Sequence, residues 1–263
     1  MESRPNIILF ELAHQVHPVE GVLFEHMYAS CPSRDAIKTT LLTGLHPRVY
    51  EKRKGFPNLL DALVDNGYSI DKMNAPFFLW YSNPTEDEVN QLIASLDDNT
   101  IAVFLQKDGI KTPILWSWPG HFAHGVTKGI ASHIDFAPTI LDLCGIPIPV
   151  SDILPSIEYR NQVVPWPGKS LKEQLFGRVE KVNDYAIVED GDMRMFITER
   201  YKLTLYVGKK YGKLYDLQID PLEQKNLWDD PGYHDAIMDL KAQFLNAFIL
   251  QGDSTARVIS PFA

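Results

Sequence analysis

Apolar and polar residues are distributed along the first half of the chain in two alternating patterns. Short continuous apolar runs predict strands that are buried on both faces, as in a parallel sheet. Segments in which apolar residues recur every three or four positions predict amphipathic helices. The strands are predicted at 6–10, 68–70, 100–105 and 113–118, and the helices at 34–43, 56–64, 85–96 and 135–143.

Local signals mark where these helices begin and end. Thr85 and Glu88 have the spacing of a capping box, and Asp135 is predicted to cap the helix that follows it. Gly44 and Gly145 stand where two helices are expected to stop. Strands that alternate with helices predict an α/β fold, with three layers and a mostly parallel sheet that has helices on both faces.

The pattern changes after a proline-rich stretch at 147–167. Closely spaced strands are predicted at 185–190, 193–199, 201–207 and 212–216, which indicates a small C-terminal antiparallel sheet. A final helix is predicted at about 232–250, with Ile237, Leu240, Phe244 and Phe248 on one face. We therefore divide the chain into an α/β domain at 1–175 and a subdomain of antiparallel sheet plus helix at 176–263.

The amino-acid composition and net charge disfavour some kinds of binding partner. Apolar residues make up 45% of the chain and charged residues 22%, which are globular values. Lys and Arg number 25 against 34 Asp and Glu, a formal charge of −9, which disfavours nucleic acid and anionic membranes as general partners. No apolar run is long enough to span a bilayer, no secretory signal is visible, and two cysteines cannot form a disulfide framework. We expect a soluble, cytoplasmic or otherwise intracellular protein.

Several segments, taken in order, resemble the sulfatase family of the alkaline phosphatase superfamily. They include Arg4–Leu9, Leu41–Pro47, Pro138–Pro147 and Leu214–Leu217, the last followed by Asp220-Pro221. The resemblance implies the same fold and the hydrolysis of sulfate esters with a divalent cation such as calcium. It also implies a nucleophile that is an aldehyde made from Cys or Ser.

The residues at the implied metal positions differ from those of the family. After the first strand, where the family has two acidic ligands, the sequence has Glu11 followed by His14 and Gln15. After the strand at 100–105, Lys107 stands where an Asp ligand is expected, next to Asp108. A charged lysine repels a divalent cation and has no lone pair to offer. We therefore predict no metal site and no cofactor.

The position of the nucleophile is ambiguous. Ser30-Cys-Pro-Ser-Arg34 fits the Ser form of the family's motif, which would make Ser30 the catalytic residue if the protein is active. The ungapped alignment from Tyr28 to Gly44 instead puts Arg34 at the nucleophile position and Lys38 at the motif arginine. The ungapped register fits both flanks, and in it there is no nucleophile.

In the ungapped register four basic residues converge on the position of the catalytic pocket: Arg34, Lys38, Lys72 and Lys107. Fixed positive charge could bind an anion without metal, particularly near the N-terminus of the helix at 34–43. The alternative is that these positions drifted to basic residues that point to solvent. The aromatic residues Trp80 and Tyr81 are expected to serve as core or as a subunit contact.

The sequence thus favours a sulfatase-like protein that has lost metal-dependent hydrolysis. Its role would be structural, partner-binding or anion-binding, with a protein partner, a second copy of the chain, or a small anion such as sulfate or phosphate. The competing interpretation is an active hydrolase of sulfate or phosphate esters with an unconventional site, which would need a divalent cation.

Overall fold

The computed structural model describes residues 4–13, 20–50, 58–70, 73–74, 76–95, 97–106, 109–148 and 167–252. Within those ranges the strands are β1 (Asn6–Leu12), β2 (Val22–Phe24), β3 (Met27–Tyr28), β4 (Ser69–Ile70), β5 (Phe77–Ser82), β6 (Thr100–Gln106), β7 (Ile114–Ser117), β8 (Gly125–Thr127), β9 (Ala131–Ser132), β10 (Tyr185–Asp190), β11 (Met193–Thr198), β12 (Tyr201–Tyr206) and β13 (Gly212–Asp216). The helices are α1 (Arg34–Thr43), α2 (Pro47–Tyr50), α3 (Leu59–Asp65), α4 (Glu86–Ala94), α5 (Phe136–Leu143), α6 (Lys172–Leu175) and α7 (His234–Gly252).

The central sheet has seven strands in the order β4-β5-β1-β6-β7-β2-β8. Strand β7 pairs antiparallel with both of its neighbours, and every other pairing in the sheet is parallel. The predicted α/β fold with a mostly parallel sheet is therefore confirmed. No helix within the described ranges has both the length and the apolarity needed to cross a bilayer.

The continuous apolar runs form strands because both faces of the sheet are covered. All seven residues of β1 are buried. Ile7 and Leu9 pack into the core that contains residues of α1, α3 and α5, whereas Ile8 and Phe10 pack on the opposite face with Val89 of α4. Full burial of one such side chain stabilises the fold by about 1.5–3 kcal/mol, so the alternation of faces along β1 holds both helical layers against the sheet.

The ends of two helices follow their sequence signals. The Ser33 hydroxyl accepts a hydrogen bond from the backbone N–H of Ala36 at the start of α1. Gly44 ends that helix with a left-handed φ of 62°, a conformation that costs other residues more than glycine. At α4 the predicted capping box between Thr85 and Glu88 is present. These caps satisfy backbone groups at the helix ends and fix where each helix begins or stops.

The prediction for Asp135 was wrong in its detail. Asp135 lies in a short 3-10 helix, and its side chain makes no capping hydrogen bond to α5. Its carboxylate accepts instead from the backbone N–H groups of Ser132 and Lys169, each at 2.8 Å, and from the Asn183 amide at 2.9 Å. Three donors from separate segments satisfy a buried carboxylate better than one local cap would, since an unpaired buried charge is costly.

Strand β5 was missed from the sequence, which placed only the α4 helix between residues 72 and 100. It lies inside the sheet and pairs in parallel with β1 over five positions, from Ile7↔Phe78 to Glu11↔Ser82. Phe78, Trp80 and Ser82 alternate with Phe77, Leu79 and Tyr81, so the two sets point to opposite faces.

The C-terminal strands form a separate antiparallel sheet in the order β10-β11-β12-β13, as predicted. Helix α7 packs on one face of it, where Ile237, Leu240 and Phe244 meet a core that includes Phe196 and Leu203. The predicted division of the chain at residue 175 stays a prediction. One backbone hydrogen bond from the Glu189 N–H to the Ser30 carbonyl, at 2.8 Å, joins β10 to the segment before α1.

Candidate functional site

The carboxyl ends of three neighbouring parallel strands meet at one edge of the central sheet. Glu11 of β1 lies opposite Ser82 of β5 and Leu105 of β6, and β6 ends at Gln106. In open α/β sheets ligands bind outside the carboxyl ends of the strands. Lys107 and Asp108 follow directly in sequence, and, like His14 and Gln15 after β1, they lie outside the described residues.

Glu11 is a buried carboxylate at this edge. Its residue is 7% exposed, and its Oε2 accepts hydrogen bonds from the Ser82 hydroxyl at 2.7 Å and from the Trp80 indole N–H at 3.3 Å. These two neutral donors come from alternate positions of β5, on the same face of that strand. Glu11 therefore fixes the orientation of the Trp80 ring.

Beside Glu11 lies a small cavity between α1, α3 and the β4–β5 edge, which we call the edge pocket. Its volume is about 210 Å³, and it is lined by Lys38, Leu60, Ile70, Phe78, Trp80 and Ser82. The Lys38 ammonium lies 5.6 Å from the centre of the Trp80 ring, in the range of a cation–π contact. The pocket thus combines apolar walls with a lysine charge held at one of them.

The four basic residues predicted to bind an anion are only partly described. Arg34 and Lys38 are exposed residues of α1, four positions apart and so on one side of the helix. Lys38 lines the edge pocket. Lys72 and Lys107 lie outside the described residues, and the convergence of all four stays a prediction.

Ser30, the nucleophile of the alternative register, is fully buried. Its hydroxyl lies 3.2 Å from the hydroxyl of Ser132, and its carbonyl accepts the Glu189 N–H. The Ser30 hydroxyl therefore faces protein atoms. A catalytic role for Ser30 stays a prediction.

A divalent cation, which the family resemblance implies, needs several oxygen ligands that converge on one point. Among the described residues no group of three or more His, Cys, Asp or Glu side chains is placed to hold a metal ion. Glu11, the residue nearest the implied position, directs one oxygen at two protein donors. The described part of this edge does not fit a divalent cation.

A second polar cluster, which we call the junction cluster, joins the region of α2 to the C-terminal antiparallel sheet. It consists of His46, Arg48, Glu189 and Arg194. The Glu189 side chain is 9% exposed and pairs with Arg48 and with Arg194 (Nε–Oε2 3.4 Å). Nδ1 of His46 lies 3.4 Å from Oε1 of Glu189. The Arg48 guanidinium also lies 4.0 Å from the centre of the Phe248 ring of α7. The cluster thereby ties α2 to β10, β11 and α7.

Burial shifts the pKa values of three enclosed groups. Burial, with the neighbouring Arg48 charge as a smaller cause, lowers the pKa of His46 to about 3. Burial alone lowers the pKa of His133 to about 3. It raises the pKa of Asp135 to about 6, against the opposing effect of the hydrogen bonds that this carboxylate accepts. All three groups therefore favour their neutral forms more than free side chains do.

The sequence reasoning missed the parts of the edge pocket that come from β5. Trp80 had been expected to be core or a subunit contact, and Ser82 had not been singled out. The available signal was the apolar run 77–81 after Pro76, which has the composition of a buried strand. The junction cluster was missed because its members are separated by up to 148 residues, from His46 to Arg194.

A family model described as "N-sulphoglucosamine sulphohydrolase, C-terminal" matches residues 102–249. An ulvan-active sulfatase of Formosa agariphila is 25% identical over 210 residues, which cover 65% of this chain and 42% of that protein. Human arylsulfatase A is 49% identical over 41 residues, or 16% of this chain and 8% of that protein. The chain thus spans less than half the length of these curated relatives.

Solved structures show the same fold. A 2-O GAG sulfatase superposes with a TM-score of 0.74 at 15% identity, covering 98% of this chain and 94% of that one. A phosphonate monoester hydrolase from Silicibacter pomeroyi gives a TM-score of 0.73 at 12% identity, covering 98% of this chain and 97% of that one. The fold therefore occurs in proteins named for different esters, and the site has to be interpreted from its own residues.

Proposed function

The chain belongs to the N-sulphoglucosamine sulphohydrolase C-terminal family of the sulfatases, and from that premise we propose that it binds an anion without hydrolysing a sulfate ester. The resemblance to sulfatases stated from the sequence is confirmed for the family and for the fold. The fold alone does not determine the chemistry of the site, so the proposal depends on the residues at the edge of the central sheet.

One observation carries the proposal: the edge where strands β1, β5 and β6 end presents a lysine beside a carboxylate that is already bonded to protein. Oε2 of Glu11 accepts the Trp80 and Ser82 donors, and the Lys38 ammonium lies over the Trp80 ring. Metal-assisted hydrolysis needs several oxygen ligands around one cation, and the described residues bring no group of three or more His, Cys, Asp or Glu side chains together. A lysine at this edge favours an anionic group instead.

Further positive charge is available from the chain near this edge. Arg34 and Lys38 are exposed on α1, and Lys107 follows β6 in the sequence. A ligand paired with Lys38 would meet this local charge although the whole chain carries −9. Exposed ion pairs are individually weak, so we expect modest, salt-sensitive affinity.

Calorimetric titration of the chain with inorganic sulfate, and separately with phosphate, tests the proposal. We expect saturable binding that weakens in Lys38→Met and in Lys72→Ala and that declines as salt is added. Lys213→Met, an exposed lysine on β13, is the matched control and should bind normally. Absence of a saturable site for either anion would refute the proposal.

Hydrolysis is tested on the same preparation. Elemental analysis of bound metal is combined with turnover of an aryl sulfate and an aryl phosphate. Stoichiometric calcium or zinc together with turnover would overturn the non-enzymatic proposal in favour of an ester hydrolase. In that case Ser30→Ala would identify whether its hydroxyl is the nucleophile.

A further inference from the structure

The edge pocket is a short slot with both apolar and polar walls. Leu60 of α3, Ile70 of β4, and Phe78 and Trp80 of β5 form four of its six lining residues. Its volume of about 210 Å³ lies below the roughly 300–1,000 Å³ of sites for drug-sized ligands. An occupant would be about the size of one ring with one substituent.

The charge at the slot lies next to an aromatic ring. The Lys38 ammonium lies 5.6 Å from the centre of the Trp80 ring, and the Trp80 indole N–H is bonded to Glu11. The ring face and the ammonium therefore form one surface, with a cationic part next to an aromatic part. A ligand with an anionic group next to an apolar ring is complementary to that surface.

The opposite charges of Lys38 and Glu11 limit how much negative charge the ligand should carry. Among the described residues at the slot, Lys38 carries one positive charge, and Glu11 behind Trp80 carries one negative charge. The Coulomb attraction for an anion is thus partly cancelled, and a dianion gains less here than in an all-basic site. Contact of an apolar ring with Phe78 and Trp80 would then add to the affinity.

We propose that the edge pocket binds a small organic monoanion, a single apolar ring bearing one carboxylate or sulfonate group. The anionic group pairs with Lys38, and the ring packs against Trp80 inside the slot. The proposal rests on the anion-binding function proposed above, and it narrows the ligand from any small anion to one that carries a ring.

The test is calorimetry on the full chain with four probes. Benzenesulfonate and benzoate carry both a ring and a charge, methanesulfonate carries only the charge, and benzyl alcohol carries only the ring. We expect saturable binding of the first two, and about tenfold weaker binding of the other two, because each lacks one of the two contacts. A difference between benzenesulfonate and benzoate would show which anionic group Lys38 prefers.

Substitutions in the edge pocket test whether the probes bind there. Lys38→Met keeps the apolar stem and removes the charge, and Trp80→Ala removes the ring face. Each should weaken benzenesulfonate by about tenfold, whereas Lys213→Met should not change it. Because Trp80→Ala could disturb folding, Leu60→Ser on the half-buried opposite wall is the second variant, and circular dichroism checks that each is folded.

Two results would overturn the inference in distinguishable ways. If methanesulfonate and inorganic sulfate bind as well as benzenesulfonate, and Leu60→Ser leaves all of them unchanged, the slot is not used but the anion-binding function stands. If neither inorganic sulfate nor any of the four probes binds, the function and the inference fail together.

Discussion

The junction cluster and the edge pocket are both built around a buried carboxylate, but they satisfy it differently. Glu189 at the junction is surrounded by cationic partners, Arg48 and Arg194. Glu11 at the edge accepts from two neutral donors, Trp80 and Ser82. The first carboxylate neutralises charges that would otherwise be buried unpaired, and the second orients an aromatic ring. Lys38, which has no such carboxylate partner in the described edge pocket, is exposed to a ligand.

The difference shows where charge serves stability and where it serves binding. Removal of one partner from a buried ion pair leaves an uncompensated charge, at a cost of several kcal/mol. Loss of an exposed charge costs little. Substitutions at the two sites, and changes of pH, test this contrast.

Glu189→Gln should destabilise the protein most. The amide cannot neutralise Arg48 and Arg194, so two buried or half-buried guanidinium groups would repel each other, and we expect a loss of about 3–5 kcal/mol in the free energy of unfolding. Urea denaturation measures it. Glu173→Gln, which breaks the exposed pair with Arg178 (2.8 Å), is the control and should cost less than about 1 kcal/mol. Equal losses in the two variants would contradict the contrast.

Stability should fall as the pH drops below about 6. The folded pKa values of His46 and His133, both about 3, lie below the unfolded value of 6.5. As the pH falls, both histidines therefore become protonated in the unfolded chain but stay neutral in the native state. Each of them lowers the free energy of unfolding by about 1.4 kcal/mol per pH unit. That stability is fully present above pH 6.5 and is lost as the pH falls towards 3.

Asp135 acts in the opposite direction. Its folded pKa of about 6 lies above the unfolded value of 3.8, so the native state takes up the extra proton as the pH falls between these values. Near pH 5 the unfolded chain thus binds two extra protons on the histidines and the native state binds one on Asp135. The free energy of unfolding should then fall by about 1.4 kcal/mol per pH unit, the effect of one proton. Asp135→Asn should roughly double that slope and His133→Gln should flatten it, in urea titrations at pH 4.5–5.5. Identical slopes in both variants would show that these groups do not govern the pH dependence.

Glu11→Gln should have a smaller effect at the edge. The amide oxygen can still accept from Ser82 or Trp80, but the charge assistance is lost, and we expect about 1 kcal/mol of destabilisation. Ser82→Ala, which removes a donor and leaves the carboxylate, is the matched comparison. A loss as large as that of Glu189→Gln would mean that Glu11 neutralises a buried cation, contrary to the hydrogen bonds described.

Lys38→Met should change stability least, within about 0.5 kcal/mol. An exposed cation–π contact contributes about that much, and the methionine side chain keeps an apolar contact with Trp80. Arg48→Met at the junction should cost several kcal/mol, because it leaves Glu189 buried with fewer cations. If Lys38→Met were as destabilising as Arg48→Met, the lysine would be a structural residue rather than one available to a ligand.

Much of the fold could be predicted because its signals are local. The runs at 6–10 and 100–105 became β1 and β6, and the helix stop at Gly44 and the capping box at Thr85 depend on short-range backbone and hydrogen-bond preferences. Asp135 shows the limit of such reasoning. Its neighbours suggested a cap of α5, but its carboxylate accepts from Ser132 in a capping box on the preceding 3-10 helix, and from Lys169 and Asn183, which are far away in sequence.

The candidate site was only partly predictable for the same reason. Lys38 and Glu11 could be singled out from the family pattern, which gives positions along the chain. That Lys38 lies over Trp80, and that Glu11 holds that ring, depends on the pairing of β5 with β1. The sequence contains no local signal for that pairing.

The α/β pattern, the C-terminal antiparallel strands and the resemblance to the family could be inferred from the sequence alone, since each depends on residue type and spacing along the chain. Only the tertiary structure decided which charges are enclosed and which remain accessible. Glu189 and Glu11 are the same residue type, each on a buried strand. Their roles differ because strand pairing brings arginines to one and a tryptophan and a serine to the other, and the energy of a charge depends on its neighbours in space.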